Sequence, residues 1–467
     1  MSLVIDSREV KKGDTFICII GNELDGHDFI DDAINNGASV IFHSKPLKNK
    51  REGVNYIQVP DTVEAMNFAC KIYFEDITKK MTVFGVTGTN GKTTVTNIIQ
   101  QIFDEVKPCG YIGTIATRFR DFVIEGGLTT PNAVTLHNSL YSMKKKGAEA
   151  VALEASSQGI AMGRVDAVDF DYAIFTNLTH DHLDYHKTME EYFAAKRKMF
   201  EELADTSAAV LNADSPTLDA LRTCTSAKVI TYGIENEADY RAENVKCFGS
   251  GSSFDLVYSE GVVHFETNLL GEYNVYNLLA AIAAMHDAGA PMELIRRKAA
   301  DISQIAGRAE KINEGQDFDV FVDYAHTPDG YEKFFGFIKS YLEPDKRLIA
   351  VISAPGNRDE SKRKELGEVT DKYADEIFLT QYDRRESDPE EIADMIMEGI
   401  SDKTNVHRVM DRKNAIEKAI REAKQGDCVA VLGKGDEPYM YIGKKKVPWE
   451  GDNNIARRVL KSLMEEK

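Results

Sequence analysis

The sequence predicts an α/β protein of three domains, each organised around a largely parallel sheet. Short apolar strands alternate with amphipathic helical segments along the whole chain, and the alternation is interrupted near residues 79 and 311. At 467 residues the chain is also too long for a single core. We therefore predict domains at residues 1–78, 79–310 and 311–467.

Each predicted domain has its own strands. The first contains the strands DTFICII and ASVIFHS around the helical segment FIDDAINNG. The second contains TVFGVTG, AVALEA and YAIFTN, which are continuous apolar runs typical of parallel strands buried on both faces. The third alternates again, with the strands FDVFVDYAH, RLIAVIS, EIFLTQ and DCVAVLG and helices such as DPEEIADMIMEGI.

Composition excludes several classes of partner. The net charge of −19 argues against nucleic acid or an anionic membrane as the main partner. Six scattered cysteines without a C-x-x-C pair argue against a disulfide scaffold or zinc ribbon and fit a reducing cytoplasm. No apolar run approaches the roughly 20 residues of a membrane span, and the N-terminus lacks a signal segment. We expect a cytoplasmic protein without membrane insertion.

A phosphate-binding loop is predicted between the strand TVFGV and the helix that begins near Lys92. Gly88 and Gly91 free the backbone to curl, and the helix start provides unpaired N–H donors for an anion. Lys92 can reach phosphates, and Thr93 or Thr94 can bind Mg²⁺ through its hydroxyl. The glycines stand three positions apart instead of five, which points away from ordinary NTPases.

A second candidate site is the segment TNLTHDHLDYH. It carries His180, Asp181, His182, Asp184 and His186 within one loop, a density unusual for a plain connection. The residues alone allow two interpretations, a transition-metal site or a Mg²⁺ site shared with the phosphates of ATP. Thr188 and Glu191 form a capping-box pair that starts the next helix, and Lys196 lies two turns into that helix.

A carboxylate, Glu154, ends the apolar strand in VALEASSQG. In an open parallel sheet, ligands bind beyond the carboxyl ends of the strands, so Glu154 should lie on the same edge as the phosphate loop. A carboxylate next to bound ATP is suited to ligating Mg²⁺. Ser156 and Arg164 are further polar candidates nearby.

Taken together, these segments resemble the Mur ligase family of ATP-dependent amide-bond synthetases. The matching motifs are GTNGKTT, EASSQG, TNLTHDHLDYH followed by AAK, LLGEYNVYNLLAA and VDYAHTPDG, in that order. The opening DSREVKKGDTFICIIGNELDGHDFI is similar to the first domain of the MurE branch, the UDP-N-acetylmuramoyl-dipeptide:amino-acid ligases. The resemblance implies a UDP-sugar domain, a central P-loop-like ATPase domain and a C-terminal Rossmann-like domain for the amino acid.

The resemblance also implies a reaction and its partners. A substrate carboxylate attacks the γ-phosphate of ATP to give an acyl phosphate, which an incoming amine then converts to an amide. The substrates would be UDP-MurNAc-dipeptide, a free amino acid of the diaminopimelate or lysine class, and ATP with Mg²⁺. The product would serve peptidoglycan synthesis, and the enzyme would be a monomer.

The family motifs assign roles to individual residues. Catalysis would depend on Lys92, Glu154, His182 and Lys196. Metal binding would involve Thr93, Glu154, His182 and Lys196, the last as a carbamate. ATP would contact Gly88, Thr89, Asn90, Gly91, Lys92, Thr93, Thr94, Asn274, Asn277, Arg308 and Asp323.

Substrate contacts match less evenly. Ser7 and the segment Asn22 to Leu24 match the uridine site, which we expect to be reduced because the chain begins shorter than many relatives. The muramoyl-peptide arm would contact Thr129, Thr130, Ser156 and Arg164, with Met162 where the branch commonly has a polar residue. The amino acid would contact Arg358, Asp383, Arg385, Gly433 and Glu437.

The third domain departs most from the family pattern. The branch reads its amino acid with D-N-P and a following residue, whereas this chain has Tyr382, Asp383, Arg384 and Arg385. The later G-K-G-H-E pattern has aspartate, Asp436, in place of histidine. We therefore expect an unusual amino acid or a related acceptor.

Three alternatives stay open on the sequence. The first is a ligase of the same family that acts on a different carboxylate, as folylpolyglutamate or cyanophycin synthetases do. The second is a metal-dependent phosphohydrolase built on HDHLDYH, which the intact GTNGKTT loop disfavours. The third is a non-catalytic scaffold, which predicts loss of Lys92, Glu154, His182 or Lys196, although all four are present.

Overall fold

The computed structural model describes residues 2–21 and 24–466. The N-terminal region contains one small sheet and two helices, with 3-10 turns at Ser7–Glu9, Gly26–Phe29 and Ile77–Lys80. Its elements are β1 (Leu3–Val4), β2 (Thr15–Ile17), α1 (Ile30–Asn35), β3 (Val40–His43), β4 (Asn55–Gln58) and α2 (Thr62–Tyr73). The strands lie in the order β1-β2-β3-β4, and all pairs are parallel.

The central region holds an eleven-stranded sheet. Its elements are β5 (Thr82–Thr87), α3 (Lys92–Phe103), β6 (Cys109–Ile112), β7 (Ala116–Phe119), β8 (Phe122–Glu125), α4 (Ala133–Lys145), β9 (Ala150–Glu154), α5 (Ser157–Ala161), β10 (Tyr172–Phe175), α6 (Leu183–His186), α7 (Met189–Glu201), β11 (Ala208–Asn212), α8 (Leu218–Cys224), β12 (Lys228–Gly233), β13 (Tyr240–Phe248), β14 (Gly251–Tyr258), β15 (Gly261–Thr267), α9 (Glu272–Asp287) and α10 (Met292–Ala300).

The central sheet is parallel in the middle and antiparallel at both edges. Its order is β15-β14-β13-β12-β11-β10-β5-β9-β6-β7-β8, with parallel pairing from β13 to β6. The hairpins β13-β14-β15 and β6-β7-β8 pair antiparallel. The predicted parallel α/β class is confirmed, and the antiparallel edges are an addition that the apolar runs did not indicate.

The C-terminal region repeats the layered α/β arrangement. Its elements are β16 (Glu310–Lys311), β17 (Asp319–Asp323), α11 (Pro328–Tyr341), β18 (Leu348–Ile352), α12 (Lys362–Tyr373), β19 (Glu376–Leu379), α13 (Pro389–Met397), β20 (Val406–Arg408), α14 (Arg412–Glu422), β21 (Cys428–Leu432), β22 (Tyr439–Ile442), β23 (Lys445–Pro448) and α15 (Asp452–Glu465). Its six-stranded sheet has the order β16-β17-β21-β18-β19-β20 and is parallel except for β16, while β22 and β23 form a separate hairpin.

Burial explains why these segments fold as they do. The strands β5, β9 and β10 are almost wholly buried because helices cover both faces of the sheet, which matches their continuous apolar sequences. Helix α3 packs against α9 and the sheet, and its apolar side chains join one large core. The parallel strands therefore end together on one edge, where polar residues follow each of them.

The three regions contact one another around that edge. Asn90 Nδ2 donates to Asp329 Oδ2 at 3.0 Å, and Asn67 Nδ2 donates to the Gly163 carbonyl at 2.8 Å. Within residues 2–21 and 24–466, no helix is long and apolar enough to cross a membrane. The division of the chain after residues 78 and 310 stays a prediction.

Candidate functional site

The loop between β5 and α3 requires glycine at two positions. Gly88 has φ +147° and Gly91 has φ +88°. A Cβ atom on Gly88 would lie 1.9 Å from Thr176 Oγ1, and one on Gly91 would lie 2.3 Å from Asn277 Oδ1. The backbone therefore curls tightly at the N-terminus of α3, and Lys92 Nζ donates to the carbonyls of Gly88 and Thr89, each at 2.9 Å.

Glu154 ends β9 as a fully buried carboxylate held on both oxygens. Oε1 accepts from the Tyr111 hydroxyl at 2.7 Å and from the Thr114 backbone N–H at 3.0 Å. Oε2 accepts from Thr93 Oγ1 at 2.9 Å and from Thr114 Oγ1 at 3.0 Å. The predicted proximity of Glu154 to the phosphate loop is therefore direct contact with Thr93.

Lys196 is fully buried in α7 and points at the same loop. Its Nζ donates to the Gly88 carbonyl at 2.7 Å and lies 4.3 Å from the centre of the Tyr192 ring. Burial, followed by the nearby charge of Lys92, holds the pKa of Lys196 well below its usual range, although Asp181 opposes this. This environment favours a neutral amine, the form of lysine that reacts with carbon dioxide.

The imidazoles of the 180–186 loop point to different partners. His180 Nε2 lies 3.1 Å from Asp359 Oδ2, and His186 Nε2 lies 3.0 Å from Ser157 Oγ. Of the three histidines, only His182 lines the cavity that contains Lys92 and Glu154. The backbone of His182 has φ +56°. Burial lowers the pKa of His182 to about 3, with Asp181 opposing and Lys92 adding to the shift. A neutral imidazole can bind a metal ion.

The transition-metal interpretation of this loop gains no support. In the described part of the chain, the one group of three or more histidine, cysteine or acidic side chains close enough to share an ion is Glu376, His407 and Glu422, in the C-terminal region.

Residues from the C-terminal region close the cavity. Arg308 lies with its guanidinium 4.2 Å from the centre of the Tyr324 ring and its Nη2 3.3 Å from Thr93 Oγ1. Asp323, at the end of β17, accepts from the N–H groups of Ala309 and Ala325, each at 2.6 Å. Burial raises the pKa of Asp323. On the central side, Asn277 Nδ2 donates to Asn274 Oδ1 at 2.9 Å.

The cavity has a volume of about 250 Å³ and gathers most of the residues predicted for ATP and catalysis. Gly88 contributes through its carbonyl, which accepts from both lysines. The predicted residues that line the cavity are Thr89, Asn90, Gly91, Lys92, Thr93, Thr94, Thr129, Glu154, Ser156, His182, Lys196, Asn274, Asn277, Arg308 and Asp323.

The predicted substrate residues of the central region adjoin the cavity. Thr129 Oγ1 lies 3.1 Å from Thr114 Oγ1, and Thr130 Oγ1 lies 2.9 Å from Ser156 Oγ. Arg164 Nη1 donates to the Thr130 carbonyl at 2.9 Å. These residues form one polar wall that runs outward from Glu154.

The structure describes Ser7 and Leu24 among the predicted uridine contacts, and neither lines the cavity. Ser7 is buried, its carbonyl accepts from Asn36 Nδ2 at 2.9 Å, and it does not line the cavity. Asn22 lies outside the described residues, whereas Leu24 is exposed.

The predicted amino-acid residues form a second cluster beside the cavity. Lys434 is fully buried, its Nζ donates to both oxygens of Asp383 at 3.0 Å, and it also pairs with Glu437. Arg385 follows Asp383, and burial, with Arg358 nearby, lowers its pKa. No carboxylate of the described residues forms an ion pair with Arg385. This cluster therefore presents guanidinium groups whose donors are not fully paired.

Backbone geometry restricts this cluster. Asp383 has φ +41° and Arg385 has φ +51°, so both lie in the left-handed region. Aspartate and asparagine tolerate that region better than most residues, which accounts for aspartate where the family has asparagine. Gly433 has φ +108°, and a Cβ there would lie 2.5 Å from the Tyr382 ring. Arg358 Nη1 lies 3.8 Å from Asp184 Oδ2, which connects the cluster to the 180–186 loop.

Sequence reasoning missed several residues that the structure brings to the site. Tyr111 and Thr114 bind Glu154, while Tyr192, Tyr273 and His326 line the cavity. Tyr273 and His326 lie within the motifs LLGEYNVYNLLAA and VDYAHTPDG but received no role, whereas Tyr111, Thr114 and Tyr192 lie in segments whose spacing carries no signal for chemistry. Lys434 was visible only within its Gly-Lys-Gly pattern, and Lys362 had no signal at all.

Comparison with known proteins agrees with this geometry. Family models match three successive segments: "Mur ligase family, catalytic domain" at residues 2–73, "Mur ligase middle domain" at 86–285 and "Mur ligase, glutamate ligase domain" at 307–435. The chain is 39% identical to the UDP-N-acetylmuramoyl-L-alanyl-D-glutamate–2,6-diaminopimelate ligase of Oceanobacillus iheyensis, over 98% of this chain and 94% of that protein. It is 37% identical to the ligase of the same name from Lactiplantibacillus plantarum, over 97% of this chain and 93% of that protein.

Solved structures agree as well. A crystallised ligase of the same name is 30% identical, covers 99% of this chain and 95% of its own, and has a TM-score of 0.70. MurF from Thermotoga maritima, solved in complex with ADP, shares the fold at 19% identity and a TM-score of 0.69, over 100% and 97% of the two chains. With family models in all three regions and full-length relatives well above 30% identity, the chain belongs to the Mur ligase family.

Proposed function

We propose that this protein joins 2,6-diaminopimelate to a free carboxylate of the D-glutamate in UDP-MurNAc-L-Ala-D-Glu, with cleavage of ATP to ADP and phosphate, in peptidoglycan precursor synthesis. Mur ligases are ATP-dependent, ADP-forming amide ligases, and relatives of the same length carry this specific name. The observation that carries the proposal is the cavity where Lys92, Glu154 and Lys196 meet Arg308 and Asp323 from the C-terminal region.

In the first step, the substrate carboxylate attacks the γ-phosphorus of ATP and ADP leaves. Lys92 sits at the N-terminus of α3, where its charge and the backbone N–H groups can hold the phosphate oxygens. Asn274, Asn277, Arg308 and Asp323 would bind the nucleoside. The Lys92 cation and the N–H groups at the start of α3 would stabilise the charge that develops on the transferred phosphoryl group.

In the second step, the amine of the amino acid attacks the acyl phosphate. A tetrahedral intermediate forms, the carbon–oxygen bond to phosphate breaks, and the amine proton is lost as the amide forms. Thr129, Thr130, Ser156 and Arg164, which are linked by side-chain and backbone contacts near Glu154, would hold the muramoyl-peptide arm. The reactive carbonyl then lies between the phosphate loop and the C-terminal cluster, which positions the amine.

Magnesium fits the oxygen donors of this site. The Thr93 hydroxyl and the Glu154 carboxylate lie 2.9 Å apart and are the hard oxygen ligands that Mg²⁺ prefers. His182 and Lys196, the latter as a carbamate, would complete the set. When bound, Mg²⁺ would neutralise phosphate charge and bring the two anionic reactants together.

Diaminopimelate is favoured over lysine by the guanidinium groups of the C-terminal cluster. Diaminopimelate differs from lysine by a second carboxylate, and Arg358 and Arg385 lie close enough for their charges to interact. Guanidinium binds carboxylate through two parallel hydrogen bonds. The unpaired Arg385 therefore supports an amino acid with a carboxylate at its far end.

The test is ADP release by the purified protein with ATP, Mg²⁺, UDP-MurNAc-L-Ala-D-Glu and a panel of amino acids. We expect amide formation with diaminopimelate, detected by mass spectrometry, and much slower turnover with lysine. Amide formation only with another carboxylate acceptor would replace this proposal with the alternative ligase activity. ADP release without any amide product would overturn it.

The proposal includes the setting of the enzyme. We propose that domain 1–78 binds the UDP-sugar, domain 79–310 binds ATP and domain 311–467 binds the amino acid. Ser7 and Asn22 would contact the uridine. The protein would work as a monomer in the cytoplasm. All six cysteines are free thiols, which suits a reducing compartment. Size-exclusion chromatography with light scattering tests the monomer, and a mass of two chains would contradict it.

A further inference from the structure

A buried ion pair joins the central and C-terminal regions beside the catalytic loop. Asp181 precedes His182 in the loop after β10, and Lys362 is the first residue of α12. Lys362 Nζ donates to Asp181 Oδ1 at 3.0 Å across 181 positions of sequence. The side chains are 3% and 6% exposed. The pair therefore connects two regions where water is nearly excluded.

Lys362 is the main cation available to Asp181. The other carboxylate oxygen of Asp181 lies 3.4 Å from His182 Nε2 and 3.6 Å from His326 Nε2, both longer than a normal hydrogen bond. Removal of Lys362 alone would leave a buried charge without its nearest partner.

The pair lies within a wider contact between residues 358–362 and residues 180–184. Asp359 Oδ2 lies 3.1 Å from His180 Nε2, and Ser361 Oγ lies 3.3 Å from the same nitrogen. Arg358, the candidate contact for the amino acid's carboxylate, lies 3.8 Å from Asp184. Segment 358–362, which carries the candidate contact for the amino acid, is thus fixed to loop 180–184, which carries His182 beside the phosphate loop.

We propose that Lys362 is a positioning residue that, through its pair with Asp181, fixes the acceptor-side segment 358–362 on the loop that carries His182, so that the amine faces the acyl phosphate. This inference rests on the proposed function. Lys362 touches no reactant in this account and acts through Asp181. Its effect should therefore fall on use of the amino acid and leave binding of ATP unchanged.

The first experiment compares Lys362→Met with two other variants. Lys362→Met keeps the length of the side chain and removes its charge, and we expect kcat/KM for the amino acid to fall about 100-fold. The dissociation constant of ATP should change less than about twofold, because Lys362 does not line the cavity and donates to Asp181, which is not among the residues predicted to bind ATP. Lys362→Arg should retain most of the activity, since the charge remains. Lys364→Met is the matched control, because Lys364 lies on the same helix with its side chain 58% exposed.

A second experiment requires no substrate. Backbone amide exchange of residues 180–186 should become about tenfold faster in Lys362→Met and should stay unchanged in Lys364→Met. Asp181→Asn combined with Lys362→Met should exchange more slowly than the single Lys362 variant, because no unpaired charge remains.

Two outcomes would overturn the inference. One is wild-type kcat/KM for the amino acid in Lys362→Met. The other is equal loss of ATP binding, unfolding temperature and turnover, which would mean a general structural role. If the wild-type protein forms no amide with any amino acid, the proposed function fails, whereas the exchange measurement still decides whether Lys362 fixes the loop.

Discussion

The phosphate side and the acceptor side of this protein are ordered in different ways. On the phosphate side, Lys92 and Lys196 donate to backbone carbonyls of one glycine-containing loop, and Glu154 is fixed by a backbone N–H and three hydroxyls. On the acceptor side, Asp383 is held chiefly by Lys434, a side chain from a distant segment. Hydrogen bonds to backbone carbonyls and from hydroxyls order the first site, whereas the second depends on the ion pair between Lys434 and Asp383 together with the Tyr441 backbone N–H.

This difference teaches where substitutions are tolerated. A side chain at Gly88 or Gly91 would overlap its neighbours, so the phosphate loop has little freedom to vary. In the acceptor cluster, Tyr382 and Asp383 stand where the branch pattern has aspartate and asparagine, so both the residue types and the charges differ there. Loss of function should therefore be greatest on the phosphate side and should become selective for one substrate on the acceptor side.

The largest effect is expected for Lys92→Met. Loss of the cation at the N-terminus of α3 removes a group that stabilises the transferred phosphoryl, so kcat should fall about 10³-fold, measured by ADP release. Lys79→Met, at an exposed lysine, is the control. A Lys92→Met protein within about tenfold of wild type would place the phosphate site elsewhere.

The second largest effect is expected for Lys196→Ala, which should lower kcat by about 10²-fold. The lowered pKa of Lys196 favours the neutral amine that forms a carbamate with carbon dioxide. A carbamate is a carboxylate, so acetate or formate should restore part of the rate in the alanine variant. Lys198→Ala on the same helix, where Lys198 pairs with Asp166, is the control. No restoration by any short carboxylate would contradict the carbamate.

On the acceptor side, Arg385→Met should change the choice of amino acid. Loss of a charged hydrogen bond costs about 1.5–3 kcal/mol, so KM for diaminopimelate should rise about 10- to 100-fold. KM for lysine, which lacks the second carboxylate, should change little. Arg384→Met at the neighbouring position is the control. Equal losses for both amino acids would mean that Arg385 acts on the shape of the loop.

The smallest expected effect is that of Tyr273→Phe. The Tyr273 hydroxyl lines the cavity, is buried, and has no hydrogen-bond partner among the described residues. A bound nucleotide can supply that partner, so its loss should raise KM for ATP about fivefold, equivalent to about 1 kcal/mol, without change in kcat. Tyr172→Phe, which removes a hydroxyl bonded to Asp287 away from the cavity, is the control. An unchanged KM for ATP would mean that the nucleotide does not form a hydrogen bond with the Tyr273 hydroxyl.

Much of the site could be predicted from short segments of sequence. The phosphate loop, Glu154 at the end of β9 and Lys196 in α7 are all marked by patterns that local physics explains: glycine freedom, strand ends and helix caps. The structure brings these residues to one cavity, as the common edge of a parallel sheet requires. Their roles in catalysis stay predictions that the variants above test.

Other features could not be read from the sequence. Most residues of β13 are partly or fully exposed, and its antiparallel pairing with β14 depends on contacts that no short window of sequence records. The divergence of His180 and His186 from His182 depends on partners 179 and 29 positions away. The density of histidines in the loop suggested a metal cluster, because composition alone does not show where each imidazole points.

By itself the sequence determined the α/β class and the phosphate loop, because strand periodicity, glycine positions and helix starts act over a few residues. The family was indicated separately, by the resemblance of its motifs to those of Mur ligases. Tertiary structure alone decided which cation neutralises Asp181, which hydroxyls hold Glu154 and which segment brings Lys434 to Asp383. Charges and hydrogen bonds act over a few ångströms of space, and only the folded chain brings residues such as Asp181 and Lys362 within that range.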